Sequence, residues 1–301
     1  MYPHLGTQGF LALVLYCLGF SDQAMARSNA AITEARRSAH LPSWATSLAL
    51  GAKLLSLGED SATLEEQADQ LVAVTIEQGL PHWGAQGTIY RGWVRGKCGD
   101  VTEGISLLRI GLAAYRATGS EAWMPHHIAL LARACEIAGQ IEEAMTLWDE
   151  ALGIVDRTGE RWFVAELNRH KGELLLRQGH PDVAEELYHT ALSIAREQEA
   201  KLWELRATVS LVRLRHDEGR RGKPATSWRQ STAGSPRVST PLTSGRQRHC
   251  WTGSTLSSLL LWPLQLRRER RSGTGTSQRS GSASRRAVRR GRADVLSSCS
   301  S

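Results

Sequence analysis

Apolar residues across the first 222 positions recur at helical spacing, and short polar breaks interrupt them at regular intervals. Glycines mark one set of breaks, at Gly19, Gly58, Gly99, Gly139, Gly179 and Gly219, with spacings of 39, 41, 40, 40 and 40. A second set falls at Gly79, Gly119 and Gly159, with Glu199 in the same phase. Aromatic residues open the segments that follow, at Trp83, Trp123, Phe163 (beside Trp162) and Trp203, again 40 apart. Three series sharing one period define a repeat before any single element is assigned. The pattern predicts A-helices near 5–18, 43–57, 82–97, 122–138, 161–178 and 200–218, and B-helices near 21–38, 62–78, 101–118, 141–158 and 181–198. Alternating β-branched runs are almost missing, so no strand is predicted.

Residue types inside a unit follow helix packing. An acid comes soon after the turn glycine (Asp22, Asp60, Asp100, Glu142, Asp182), where it meets the partial positive charge of a helix N-terminus. Five residues past the glycine stands Ala24, Gly104, Ala144 or Ala184, and twelve past it Ala31, Gly111, Ala151 or Ala191. Small residues seven apart share one helix face and let a partner helix approach closely. The second unit departs, with Thr63 and Gln70 at those places, although Leu71 keeps phase. A single pair cannot bury its apolar face, and stacking of neighbours supplies the core. The expected fold is all-α: a right-handed α-solenoid of antiparallel helix pairs, in about five and a half repeats over residues 1–222.

The small-residue, turn-glycine and Ala-Leu pattern resembles the tetratricopeptide repeat, lengthened to 40 residues. A more specific resemblance lies in Gln78-Gly79-Leu80-Pro81-His82-Trp83, Gly87-Thr88-Ile89-Tyr90-Arg91-Gly92-Trp93, Leu112 through Gly119, Thr158-Gly159-Glu160-Arg161-Trp162 and Lys171 through Leu176. These resemble the C-terminal repeat region of large bacterial signalling proteins, which join a class III adenylate/guanylate cyclase or a DNA-binding domain to a P-loop ATPase and then to such repeats. The resemblance covers about residues 5–222 and none of that family's catalytic parts. It implies a non-catalytic interaction or regulatory module of a signalling protein, or a sensor region controlling an ATPase or cyclase. Met1 opens inside the first A-helix pattern with no polar capping repeat before it, which reads as a fragment of something longer.

The overall charge of +7 hides two unlike parts. Residues 223–301 hold 15 Lys and Arg against two acids, Glu269 and Asp294, and 25 of these 79 residues are Ser or Thr. The repeat region is mildly acidic. With no apolar period, the tail is expected to be disordered. Its Arg runs offer nucleic-acid binding only if it is a genuine product. The abrupt loss of period near 222 instead predicts a reading-frame shift. The five cysteines show no paired spacing, and Cys17, Cys98 and Cys135 fall in apolar helical pattern as small buried hydrophobes, so a cytoplasmic protein without disulfides is expected. Phe10–Phe20 followed by Ala24-Met25-Ala26 imitates a signal peptide, but no Lys or Arg precedes it and it is too short to span a bilayer.

No P-loop, H-E-x-x-H, paired zinc cysteines or G-x-S-x-G occurs. Glu186 and His189 have the spacing of a di-iron ligand pair without a second copy, and a solvated helix face explains them. His126 and His127 open an A-helix as surface or groove histidines, and the fixed phase of the tryptophans suits packing between repeats. Neither enzymatic activity nor any cofactor, metal, small-molecule substrate or membrane contact is expected. The expected partner is a protein or peptide. Counting back from each turn glycine, the A-helix positions facing the concave wall single out Trp93, Lys97, His126, Arg133, Glu173, Arg177, Arg206 and Arg213 as a groove for an acidic or C-terminal peptide segment.

Overall fold

A computed structural model describes residues 3–58 and 60–217, so the expectations for residues 218–301 lie outside the described residues. The described chain forms eleven helices and no strand: α1 Pro3–Cys17, α2 Ser21–Arg37, α3 Leu41–Ser56, α4 Ser61–Gln78, α5 Pro81–Lys97, α6 Val101–Ala117, α7 Met124–Ile137, α8 Ile141–Thr158, α9 Val164–Arg177, α10 Pro181–Glu197 and α11 Lys201–Asp217. Odd-numbered helices are the A-helices. Each packs on the B-helices that flank it in the chain, and α1, α3, α5 and α9 also pack on the next A-helix, giving a tetratricopeptide-like α-solenoid. The row of A-helices bends so far that α11 touches α1. None of the described helices is long and apolar enough to cross a membrane; the leader-like stretch from Phe10 to Ala26 runs through the second half of α1, the turn after it and the start of α2.

The period resides in the helices rather than in the glycines. B-helix N-caps fall at Phe20, Asp60, Asp100, Gln140 and His180, 40 residues apart without exception. Asp60 and Asp100 cap by accepting from the backbone N–H of Thr63 at 3.0 Å and of Glu103 at 3.1 Å. Gly58 sits one residue early in its turn and does not share the positive φ of Gly19, Gly99, Gly139 and Gly179. The second unit therefore keeps the phase, with Leu64 and Leu71 rather than Thr63 and Gln70 at the buried positions, and departs from the repeat only in holding large residues there. The other turn takes a positive φ in every unit, at Ala39, Gly79, Gly119, Gly159 and Glu199, with two residues other than glycine held in a strained conformation.

Each B-helix buries one face through positions such as Ala144, Trp148, Ala151 and Val155, and the small members set the closeness of the helices. At the tightest crossing, a Cβ on Gly104 of α6 would stand 2.4 Å from the backbone nitrogen of Gly96 in α5. Gly153, in the interior of α8, would project a Cβ into open space. The two glycines predict opposite signs. Gly104→Ala should destabilise by about 1–3 kcal/mol through overpacking, whereas Gly153→Ala should stabilise by about 1 kcal/mol through helix propensity. Thermal unfolding of both variants checks this; equal effects would remove the close-contact account. Of the three cysteines among the described residues, Cys135 is buried and Cys17 half-buried, but Cys98 is exposed, because it is the C-cap of α5.

Candidate interaction site

The inward side chains form columns 40 residues apart along the A-helices. One column runs Lys53, Trp93, Arg133, Glu173, Arg213, and another Gln86, His126, Glu166, Arg206. Because the solenoid curves so tightly, much of this wall packs against itself. Phe10 of α1 stacks on Trp123 at 5.9 Å, Trp123 meets Trp162 edge-on at 5.3 Å, and Phe163 meets Trp203 at 6.0 Å. The tryptophans thus serve packing between repeats.

Two ionic clusters lie within this wall. In the first, the Lys53 side chain is fully buried, with its Nζ 3.1 Å from Tyr90 Oη, 3.5 Å from His127 Nε2 and 4.3 Å from the centre of the Trp123 ring. No carboxylate among the described residues pairs with it. Glu160 favours its charged form from a distance, but that carboxylate is occupied by the Trp123 N–H and the Trp162 indole, each at 2.8 Å. Burial therefore dominates and lowers the Lys53 ammonium to about 7. Burial, then the charge of Lys53, also holds His126 and His127 well below the usual histidine range, so both rings are neutral. The expectation of surface or groove histidines is corrected here. Both are fully buried, His126 Nε2 lies 3.2 Å from Ser56 Oγ, and neither Nδ1 has a partner.

The second cluster centres on Glu166, which is 1% exposed. Its carboxylate accepts from Arg169 Nε at 2.6 Å, Arg169 Nη2 at 2.9 Å and Arg206 Nη1 at 3.0 Å. Arg206 also donates to Leu57 O at 2.8 Å and lies 3.4 Å from Tyr16 Oη, so one guanidinium joins α11 to α9, α1 and the end of α3. Glu173 accepts from Arg169 at 2.5 Å and pairs with His170 at 3.1 Å. A cavity of about 20 Å³, room for one water, lies between these groups, lined by Ser56, His126, Arg133, Phe163, Glu166 and Arg206 among others.

The eight residues singled out in the sequence divide accordingly. His126, Arg133 and Arg206 line the cavity, and Glu173 adjoins it through Arg169. Trp93 is 1% exposed and lies under Arg133, whose guanidinium stands 4.7 Å from the ring centre. Lys97 is half-buried and donates to Gly58 O at 3.4 Å. Arg177 is exposed and paired with Glu136, and Arg213 is exposed. Arg133 is the exceptional cation. It is half-buried, yet its guanidinium makes no hydrogen bond or ion pair among the described residues. Counting back from Gly58 leads to Ala52 and misses Lys53; the N-cap series 20, 60, 100 locates it.

No family model matches this chain. An uncharacterised protein of Rhizobium meliloti (strain 1021) is 28% identical over 207 residues, which cover 68% of this chain and 20% of that protein, so the match spans about a fifth of the relative's length. Among solved structures, the fold is similar to Bacillus thuringiensis PlcR in complex with the peptide PapR7 and DNA, with a TM-score of 0.56 and 13% identity over 68% of this chain and 74% of that one. RapI in its apo form gives a TM-score of 0.55 at 13% identity, over 77% and 84% of the two chains. BtubC from P. vanneervenii gives 0.50 at 17%, over 74% and 97%. These likenesses concern the helical-repeat fold.

Proposed function

We propose that the repeat domain is a protein-interaction module that takes a carboxylate-bearing segment of another protein at Arg133. The observation that carries this is the unpaired Arg133 guanidinium, presented from the face of Trp93 at the edge of the axial cavity. A guanidinium offers a fixed fork of donors suited to a carboxylate. The carboxylates that act on Arg133, Glu136, Glu166 and Glu173, are already engaged by Arg177, by Arg169 with Arg206, and by Arg169. An aspartate, glutamate or C-terminal carboxylate of the partner supplies the missing acceptor. PlcR, whose structure contains a peptide, and the relative of which the match covers about a fifth support a repeat domain that serves as the interaction part of a regulatory protein.

Fluorescent hexapeptides rich in Asp and Glu with a free C-terminus, set against amidated Asn and Gln counterparts, provide the test. Binding of the acidic set should fall by about 10–100-fold in Arg133→Gln, the worth of a charge-assisted hydrogen bond, and further on Arg177→Glu. Acidic peptides that bind Arg133→Gln and the unaltered chain equally would sink the proposal, with thermal unfolding confirming that both chains are folded.

A further inference from the structure

Among the described residues, the last helix has no following B-helix over the face that its counterparts bury. In α9, Ala165, Arg169 and Gly172 are buried, and Gly172 lies against the Ala184 backbone and the Tyr188 ring of the following B-helix. Forty residues on, α11 carries Leu205, Val209 and Val212, an apolar stripe along one face that remains only half-buried. The repeat puts the next B-helix cap at 220 and its buried face at 224, 228, 231 and 235, following 24, 28, 31, 35 and their successors through 184, 188, 191, 195. The chain supplies Pro224, Trp228, Ser231 and Ser235 there. Proline suits only the start of a helix, and two serines give the face little to bury.

Codons read one register over, from the third base of the Lys223 codon, supply a different face. The new residue at 224 takes its last two bases from proline, after the A or G that ends a lysine codon, and so is Thr or Ala. The residue at 228 ends in the TG of tryptophan and is Leu, Met or Val whatever precedes it. At 231 and 235 the TC-type serine codons give Val or Ile, and Phe, Leu, Ile or Val. Positions 224 and 228 thus become small and apolar whatever the codons, and 231 and 235 become apolar where their serines are TC-type, the pattern of Ala144, Trp148, Ala151, Val155. We propose that the half-buried apolar face of α11 is the seat of a twelfth helix, and that this helix is encoded one base out of register with the residues that follow Gly222. The occupant is thus the product of the same gene in its shifted frame, independent of the Arg133 site.

Sequencing codons 219–224 in independent isolates and comparing two expressed chains provide the test. One is the 301-residue protein; the other comes from a gene with one base added between codons 219 and 222. A lost base in the coding sequence, a higher melting temperature for the frame-restored chain and a fall of about 5 °C or more on Val209→Asp in that chain alone are the expected results. An intact frame in all isolates overturns the proposal. So does a frame-restored chain that melts no higher, or a Val209→Asp effect that is equal in both chains.

Discussion

Glu166→Gln should cost about 3–5 kcal/mol at neutral pH, the usual consequence of removing one partner from a buried ionic group. A glutamine would fill the same space, but it cannot compensate the guanidinium groups of Arg169 and Arg206, which now share the two carboxylate oxygens. The loss would spread beyond α9, because Arg206 also holds Leu57 O and Tyr16, and those contacts close the last repeat onto the first. The effect has a pH signature. Burial opposes ionisation of Glu166, but Arg169, His170 and Arg206 outweigh it and hold the carboxyl at about 2, below its ordinary 4.5. A carboxyl lowered in the fold contributes stability that is complete above about 4.5 and disappears as the pH falls towards 2. The difference between the two chains should therefore be full at pH 7 and shrink through that acid window, as followed by denaturant unfolding. A Glu166→Gln chain within about 1 kcal/mol of the unaltered protein, well short of the expected cost, would mean that the cluster does not secure the closure.

Much of the fold was legible because three independent series carried one period, and none required knowledge of a contact. The structure places all eleven helices within a few residues of the expected bounds. Phase was legible only where the marker was rigid. Gly58, one residue early in its turn, moved the reading from Leu64 to Thr63 and from Lys53 to Ala52. Curvature was the harder matter. Whether a wall of A-helices forms an open groove depends on how far the row bends, which no column of residue types states. Trp93 and His126 are buried between neighbouring A-helices, whereas Arg133, over the Trp93 ring, stays nearer the surface.

Lys53→Met should have the opposite sign, raising stability at pH 7 by about 1–4 kcal/mol, the range found when buried ionic groups give way to apolar side chains of similar volume. The lysine contacts two neutral partners and a tryptophan face, and none of these compensates a buried ammonium as a carboxylate would. Methionine keeps the unbranched stem and fills the same channel, while Tyr90 Oη retains His127 Nε2 at 3.4 Å. The linkage sign follows from the lowered ammonium, about 7 in the fold against 10.5 when exposed. Between those values the unfolded chain binds a proton that the folded chain does not, so the unaltered protein gains stability as the pH rises from 7 to 10.5. A methionine has no proton to exchange, so the advantage of the substituted chain should be largest near pH 7 and decline towards pH 10.5. Urea unfolding of both chains at pH 7, 8.5 and 10 reads this difference. A constant gap across the three values would show that Lys53 does not change its charge in this range. A Lys53→Met chain less stable than the unaltered one would show that the lysine's contacts with Tyr90, His127 and Trp123 outweigh the cost of burying it.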